Sequence, residues 1–492
     1  MRLDEYEWSH NPRGIHNTNV YIYHLDRYQQ IRSGWVKLVS AEDEFANNIP
    51  ELLRAGITPI IRIYRPGSCG QPADARTYAD IRRYVQAGAR WFELWNEPNL
   101  GNEWPGGLPF AIDPTDRDNV IAPLMTHWLD WAERVIDLGG YPGFIPLAES
   151  TSPPHAAIPW LEAMVGYLRE AHNQRFRAVI GNGLWCATHP YIYNHFYQEM
   201  PGRGPLSARP PDQQNAAEGG WHFEYPYDPI CQGHDPGRTV WGGTALTPLG
   251  DPVGLTAMGR AFNELLGRDF GAGAVPVIGT EGGIWPWPGP GEAPRADDTR
   301  YPGVTWASHA EATTALFNWI ASDAAPPWFF GLTLWKENDY WENPAGAVPT
   351  VTRLAGTSAP VKNVPALSIL EGVEVPSLEE MPEGPGPVHG SPDYHFVILT
   401  PGLDPDWFFQ TAEAYWARFR PAVMDTDALI AVLPYTRSVA VTVIARPDQV
   451  AQVNAQIRDR WPNVWYDLVV AQTSADLSGV FAQRLAAGRP FG

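Results

Sequence analysis

Residues 91–100 read WFELWNEPNL. Trp91, Phe92, Leu94 and Trp95 are the side chains of a buried strand, and that strand runs straight into Asn96-Glu97-Pro98. Pro98 has no N–H to offer a ladder, so the chain leaves the sheet there. An amide and a carboxylate are poor packing groups at the end of a buried strand; they suit a strand end that faces a cleft. The same unit recurs on both sides of this stretch. Strand candidates lie near 13–17, 34–39, 58–64, 90–95, 143–148, 177–182, 275–279 and 329–334, and amphipathic helical stretches at 41–54, 77–87, 119–138, 159–172, 256–268 and 307–322. Strand–helix alternation means parallel strands with helical crossovers. Eight apolar strands with no polar face predict a closed (β/α)8 TIM barrel rather than an open sheet.

The barrel is expected to occupy residues 1–355, with a long insertion at 195–255 that builds one wall of a cleft. Residues 356–392 turn rich in Pro, Gly and Glu and read as a linker. Residues 393–492 form a small α/β accessory domain of order βαββαβα, with strands in DYHFVILT, ALIAVLPY, SVAVTVIAR and VWYDLVVA. That order allows a ferredoxin-like sandwich or a three-layer sheet.

The chain has 492 residues, a net charge of −20 and 22 tryptophans. The negative charge argues against nucleic acid or an anionic membrane as partner, and no apolar run is long enough to span a bilayer. Oligomeric state is left open. The first ten residues, MRLDEYEWSH, hold no apolar leader core, so the expectation is a cytoplasmic protein, or a secreted one whose leader is not in this chain. The tryptophan density has two readings, aromatic platforms for sugar rings or filling for a barrel. Cys69, Cys186 and Cys231 show no CxxC spacing, which argues against a zinc or redox site; Cys69 and Cys231 could pair in an oxidising compartment.

The second half of the motif is VPVIGTEGGIW, residues 275–285. A seventh strand ends on Thr280-Glu281, and Gly282-Gly283 allow a sharp turn beside a ligand. Two glutamates therefore sit at the carboxyl ends of strands four and seven. Hydrolysis of a glycoside uses such a pair: one carboxyl protonated to help the leaving oxygen depart, the other ionised to attack the anomeric carbon.

In this joint pattern residues 10–350 resemble the clan A glycoside hydrolases, retaining (β/α)8 enzymes. The resemblance implies a retaining β-glycosidase, with Glu97 as acid/base, Glu281 as nucleophile and Asn96 bound to the sugar 2-hydroxyl. It further implies that His189 and Tyr191, in His189-Pro190-Tyr191 after strand six, flank the two carboxylates, and that Trp335 after strand eight floors the sugar site. An early-strand arginine would support the nucleophile; Arg62 is favoured over Arg65. The clan's frequent His-Asn pair is replaced here by Tyr-Arg-Pro at 64–66, which leaves the exact family and the sugar open. No cofactor or metal is implied, since no ligand cluster is visible.

His16, Lys37 and Glu149 also fall near strand ends, Glu93 is read as half of a structural ion pair, and Glu337 and Asp339 as further groups for sugar hydroxyls. Trp104, Trp185, Trp221, Trp285, Trp287 and Trp341 are read as loop tryptophans, some lining subsites. Two alternatives remain: a non-catalytic carbohydrate-binding barrel, and a transglycosylase using the same carboxylates.

Overall fold

A computed structural model describes residues 1–192, 195–199, 220–286, 300–301, 304–342, 347–370, 394–403, 405–425, 439–458 and 464–491. Eight parallel strands close into a barrel: β1 (Arg13–Asn17), β2 (Trp35–Ser40), β3 (Thr58–Ile63), β4 (Trp91–Glu93), β5 (Tyr141–Phe144), β6 (Trp185–Thr188), β7 (Val277–Gly279) and β8 (Phe329–Leu334), with β8 bonded back to β1. Each strand pairs with its successor in the chain, which is the (β/α)8 TIM barrel expected. β1, β2 and β3 are buried along their whole length. With helices outside and side chains inside, neither face is solvated, so these strands read as apolar runs.

Five of the six expected helices form, as Ala75–Gln86, Ala122–Asp137, Ala157–Ala171, Ala257–Phe270 and Trp306–Ala321. In the sixth, only Ile49–Arg54 is α-helical. Upstream, the Glu44 carboxylate accepts from the amides of Ala41 at 2.6 Å and Glu42 at 2.8 Å, holding a turn where the helix was expected to start. One strand expectation is overturned. RAVIGN, 177–182, is the end of the helix Asn173–Gly181, and β6 begins at Trp185. Phe176, Val179 and Ile180 are buried at helical spacing, a period that the β-branched run obscured.

The amino-terminal half of the barrel is filled by aromatic rings. The even strands supply one layer: Trp35 of β2, Trp91 of β4, Trp185 of β6 and Phe330 of β8, with Trp91 5.1 Å from Trp35, 5.5 Å from Trp185 and 6.3 Å from Phe330. Below it, Tyr6 packs 5.5 Å from Trp91 and Trp8 4.6 Å from Phe330, so the chain's first turn plugs the barrel. Gly331 is needed for this layer, because a Cβ there would lie 2.6 Å from the Trp35 ring nitrogen. Trp35, Trp91, Trp128, Trp131, Trp160 and Trp185 are all fully buried. Trp35, Trp91 and Trp185 fill the barrel and Trp128, Trp131 and Trp160 lie on the helices around it, so these six are core, and Trp185 is a core residue rather than a loop one.

Residues 356–370, placed in the linker by composition, run beneath the barrel. The Lys362 amide donates to His10 O and its ammonium to Ile320 O, each at 2.8 Å, and the Leu3 amide donates to Leu367 O at 2.9 Å. The buried Arg13 guanidinium donates to Ile31 O at 2.8 Å, Leu354 O at 3.0 Å and Ser358 O at 3.2 Å. Buried carbonyls and amides need partners, and this segment supplies them without any hydrophobic periodicity to announce it. The rest of the expected linker, 371–392, lies outside the described residues.

The chain divides into compact units, Met1–Val375 and Pro376–Gly492. Among its described residues the second holds four parallel strands, β9 (Tyr394–Leu399), β10 (Ala422–Met424), β11 (Val439–Ala445) and β12 (Trp465–Val470), in the order β10-β9-β11-β12. Phe396, Ile398, Val441 and Val443 pack against Val453 and Ile457 on one face. Val397, Ile444 and Val469 pack against Phe408, Tyr415, Leu477 and Phe481 on the other. Of the two arrangements allowed by the element order, this is the three-layer sheet; a ferredoxin-like sandwich needs antiparallel pairs. β10 was not foreseen, and ALIAVLPY, 428–435, lies outside the described residues. Among the described residues no helix is long and apolar enough to cross a membrane.

Candidate active site

Glu97 leaves β4 with its backbone in the left-handed region, at φ +35°. A non-glycine residue there costs about 1–3 kcal/mol and persists only where its surroundings impose it. Two contacts impose it here. The Glu97 amide donates to Pro146 O beyond β5 at 3.0 Å. Asn99, fully buried, donates its side-chain amide to Ala148 O and His155 O at 2.8 Å each and accepts from the Ala148 amide at 3.0 Å. The loop after β4 is thus bolted to the loop after β5. Glu281 follows β7, and Gly282 and Gly283 have φ +144° and +85°; a Cβ on Gly282 would run into the Pro190 carbonyl.

The two carboxylates converge. One oxygen of each, and a ring nitrogen of His189, all lie within 4.8 Å of one another. His189 Nδ1 is 2.7 Å from Glu97 Oε1 and 3.8 Å from Glu281 Oε2. The Tyr191 hydroxyl donates to Glu281 Oε2 at 3.2 Å, and Lys37 Nζ donates to Glu281 Oε1, also at 3.2 Å. Arg62 reaches within 4.0 Å of Oε1 and His16 within 3.8 Å. Arg65 turns away to Asp80, at 3.1 Å, so Arg62 is the arginine beside Glu281.

These neighbours make the two carboxyl environments unequal. Burial by itself would raise the Glu281 pKa, but His189, Lys37 and Arg62 lie around it and together hold it well below the usual carboxylate range. His16 is buried beside Lys37, which pushes its own pKa well below that of an ordinary histidine. It is neutral at pH 7, and both its ring nitrogens are buried without a hydrogen-bond partner. Trp335 stands 4.8 Å from the His16 ring and 6.4 Å from Tyr191, both edge-on, and Trp285 lies 5.4 Å from Tyr191. Trp335, Tyr191 and Trp285 form an aromatic side to the cleft.

Asn96 is buried; its amide nitrogen donates to Glu103 Oε1 at 3.3 Å, and its side-chain oxygen has no partner. Sequence reasoning missed Glu103. It also lies 3.8 Å from Arg62, and burial raises its pKa against the pull of Arg62 and Asn96. The available signal was an acid on the β4 rim loop, NLGNEWPGG, six residues past Glu97.

Several other candidates lie elsewhere. Glu337 is buried and bonded by Tyr28 at 3.0 Å and Arg27 at 3.1 Å. Trp104 is buried with its ring nitrogen donating to Pro98 O, and Trp341 donates to Gln30. Trp221 packs beside Phe196 and Phe223, and Trp287 is outside the described residues. The cysteines are free and buried.

Beside Glu97, Glu149 is held far above the usual carboxylate pKa by burial and by Asp251, Glu224 and Glu97. Glu224 is pushed up to about 7 by burial, against the hydrogen bonds of Thr256 and the charge of Arg260. Because its folded pKa exceeds the unfolded value of about 4.3, Glu224 contributes stability that is complete at low pH and is lost as pH rises through about 7. Glu224→Gln keeps the acceptor for the Thr256 amide, a 2.8 Å bond, but cannot ionise. Its Tm is expected to match the parent near pH 4 and exceed it at pH 8; equal Tm values at both would contradict this account.

The Glu97, His189 and Glu281 atoms are close enough together to share a divalent ion. Lys37 and Arg62 lie against the Glu281 oxygen, however, and two fixed cations at that range oppose a third. The donor set suits a proton-handling pair better than a metal.

No known family model and no curated protein matches this chain. Among solved structures, it is similar to a GH128 (subgroup I) endo-β-1,3-glucanase from Amycolatopsis mediterranei in complex with laminaritriose and laminaribiose, at TM-score 0.34 and 13% identity over 71% of this chain and 99% of that one. It is similar to an endo-β-1,4-mannanase from Thermotoga petrophila at TM-score 0.34 and 11% identity over 72% and 77%. A sugar phosphate isomerase/epimerase from Parabacteroides distasonis matches at TM-score 0.23 and 12% identity over 59% and 99%. Likenesses this distant carry nothing to the activity of this chain.

Proposed function

We propose that the barrel is a retaining β-glycoside hydrolase acting on an oligo- or polysaccharide. The observation that carries this reading is the Glu97–Glu281 pair, with an oxygen of each within 4.8 Å. Retention requires carboxyl groups about 5 Å apart, whereas inversion needs room for a water between them, about 6.5–9.5 Å. In the first step Glu281 attacks the anomeric carbon and forms a glycosyl-enzyme ester while Glu97 gives its proton to the departing oxygen. In the second, Glu97 takes a proton from water, whose oxygen attacks the same carbon and releases Glu281. Tyr191 and Lys37 each hold one oxygen of Glu281. In this reading the Asn96 side chain meets the 2-hydroxyl, supported by its unpartnered oxygen, and Trp335 lies beneath the sugar ring.

The test is turnover of a panel of aryl β-glycosides and β-linked polysaccharides, with the first-formed anomer read by proton NMR. A β-anomer is expected. An α-anomer would sink the double displacement, and binding without release would make the barrel a carbohydrate-binding module. Product analysis at high acceptor sugar separates hydrolysis from transglycosylation by the same pair.

A further inference from the structure

Lysine is rare in this chain, at positions 37, 336 and 362 only. Lys37 is completely buried, pointing from β2 into the barrel. Its ammonium lies 2.8 Å from Glu93 Oε2, 3.2 Å from Glu281 Oε1 and 3.5 Å from Thr280 Oγ1. An ammonium has three donors on a compact centre, and here three oxygens surround it, Glu93 on β4 and the adjacent Thr280 and Glu281 after β7; the flat fork of an arginine does not fit acceptors so arranged. Glu93 is itself buried, and neither of its oxygens has a well-formed hydrogen bond. Lys37 is the ion-pair partner described for it.

We propose that Lys37 is the positioning residue that keeps Glu281 ionised and aimed, with Glu93 beneath it holding the ammonium in place. This rests on reading Glu281 as the nucleophile.

Every other group facing Glu281 is less committed to it. His16, from β1, is neutral at pH 7. Arg62, from β3, stands at 4.0 Å and divides itself with Glu103 at 3.8 Å. His189, after β6, places Nδ1 nearer to Glu97 than to Glu281, at 2.7 against 3.8 Å. Tyr191 donates a neutral hydrogen bond, and Thr280 gives no charge. Glu97 and Glu103 across the cleft are like charges that would raise its pKa. Lys37 is therefore the nearest fixed cation. Burying a carboxylate without one would favour its protonated form, which cannot attack.

Lys37→Met alone would strand Glu93 unpaired in the core and is expected to unfold the barrel. The informative protein is Lys37→Met combined with Glu93→Gln, which removes both charges, with Glu93→Gln as its control. The full chain is labelled at the glutamate side-chain carboxyl carbon with carbon-13, the Glu281 signal is assigned by its loss in Glu281→Gln, and each protein is titrated downward from pH 7. Glu281 is expected to stay ionised to the acid limit of folding in the parent and in Glu93→Gln. In the double variant it should titrate at least about one pH unit higher. The acid limb of kcat/KM on any aryl β-glycoside turned over should move with it. If Glu281 titrates alike in the parent and the double variant, or stays ionised throughout in both, the assignment of Lys37 is overturned. A parent that hydrolyses no glycoside, or Glu281→Ala at full rate, overturns the glycosidase reading instead, and the carboxyl titration still decides the role of Lys37.

Discussion

Glu281→Ala should lower kcat on the best glycoside by at least about 10⁴-fold, because removal of a nucleophile leaves no path to the covalent intermediate. Glu97→Ala should cost less, about 10²–10⁴-fold, the range over which general acid–base catalysis contributes. The two losses also differ in kind. Without Glu97, a substrate with a good leaving group, such as a dinitrophenyl β-glycoside, still forms the ester on Glu281. Added azide should then attack that ester and restore turnover as a β-glycosyl azide. Without Glu281 neither the leaving group nor azide acting on an ester can help. Burst kinetics and product analysis on both variants check this. Full activity in both would end the assignment, and β-azide rescue of Glu281→Ala would exchange the two roles.

The second large effect is on stability. Trp91→Ala should destabilise the barrel unit by about 3–5 kcal/mol, the usual cost of emptying a large aromatic site in a core. Trp91 is fully buried at the centre of the even-strand layer, 5.5 Å from Tyr6, 5.1 Å from Trp35, 5.2 Å from Tyr141 and 5.5 Å from Trp185. Its ring nitrogen also donates to Glu7 O at 2.9 Å, so the substitution loosens the amino-terminal plug as well. Urea denaturation of the full chain, followed by tryptophan fluorescence and compared with Trp104→Phe, reads the loss. A cost under about 1 kcal/mol would mean that the plug collapses into the space. Trp91 lies on the far side of Glu93 from the cleft, so kcat/KM per folded molecule should change far less than in the carboxylate variants.

Legibility in the sequence followed the range of the interaction being read. Proline after Glu97 and paired glycines after Glu281 mark strand ends within a few residues, so both carboxylates could be placed on the carboxyl rim from the chain alone. The helix Asn173–Gly181 was misread because four of its residues, Ala178-Val179-Ile180-Gly181, look the same in a strand or a buried helix; Phe176 upstream held the deciding spacing. Glu103 was missed because a loop acid carries no periodic signal, and its role exists only through Asn96 and Arg62. The segment 356–370 read as a linker because it works through backbone hydrogen bonds, which leave no mark on composition.

Taken by itself, the sequence determined a barrel of strand–helix units, seven of its eight strands, and the two carboxylates that follow the fourth and the seventh. Those facts depend on apolar runs and turn residues, which act between near neighbours in the chain. Only the tertiary structure decided which cations meet Glu281. Lys37 and Glu281 are 244 residues apart, and they touch because the closed barrel and its stagger set the inward side chains of β2 and β4 at the height of the β7 end. Closure is a property of the whole sheet: the sequence favoured Arg62 over Arg65 and put Lys37 near a strand end, but no local pattern brought the Lys37 ammonium to Glu281.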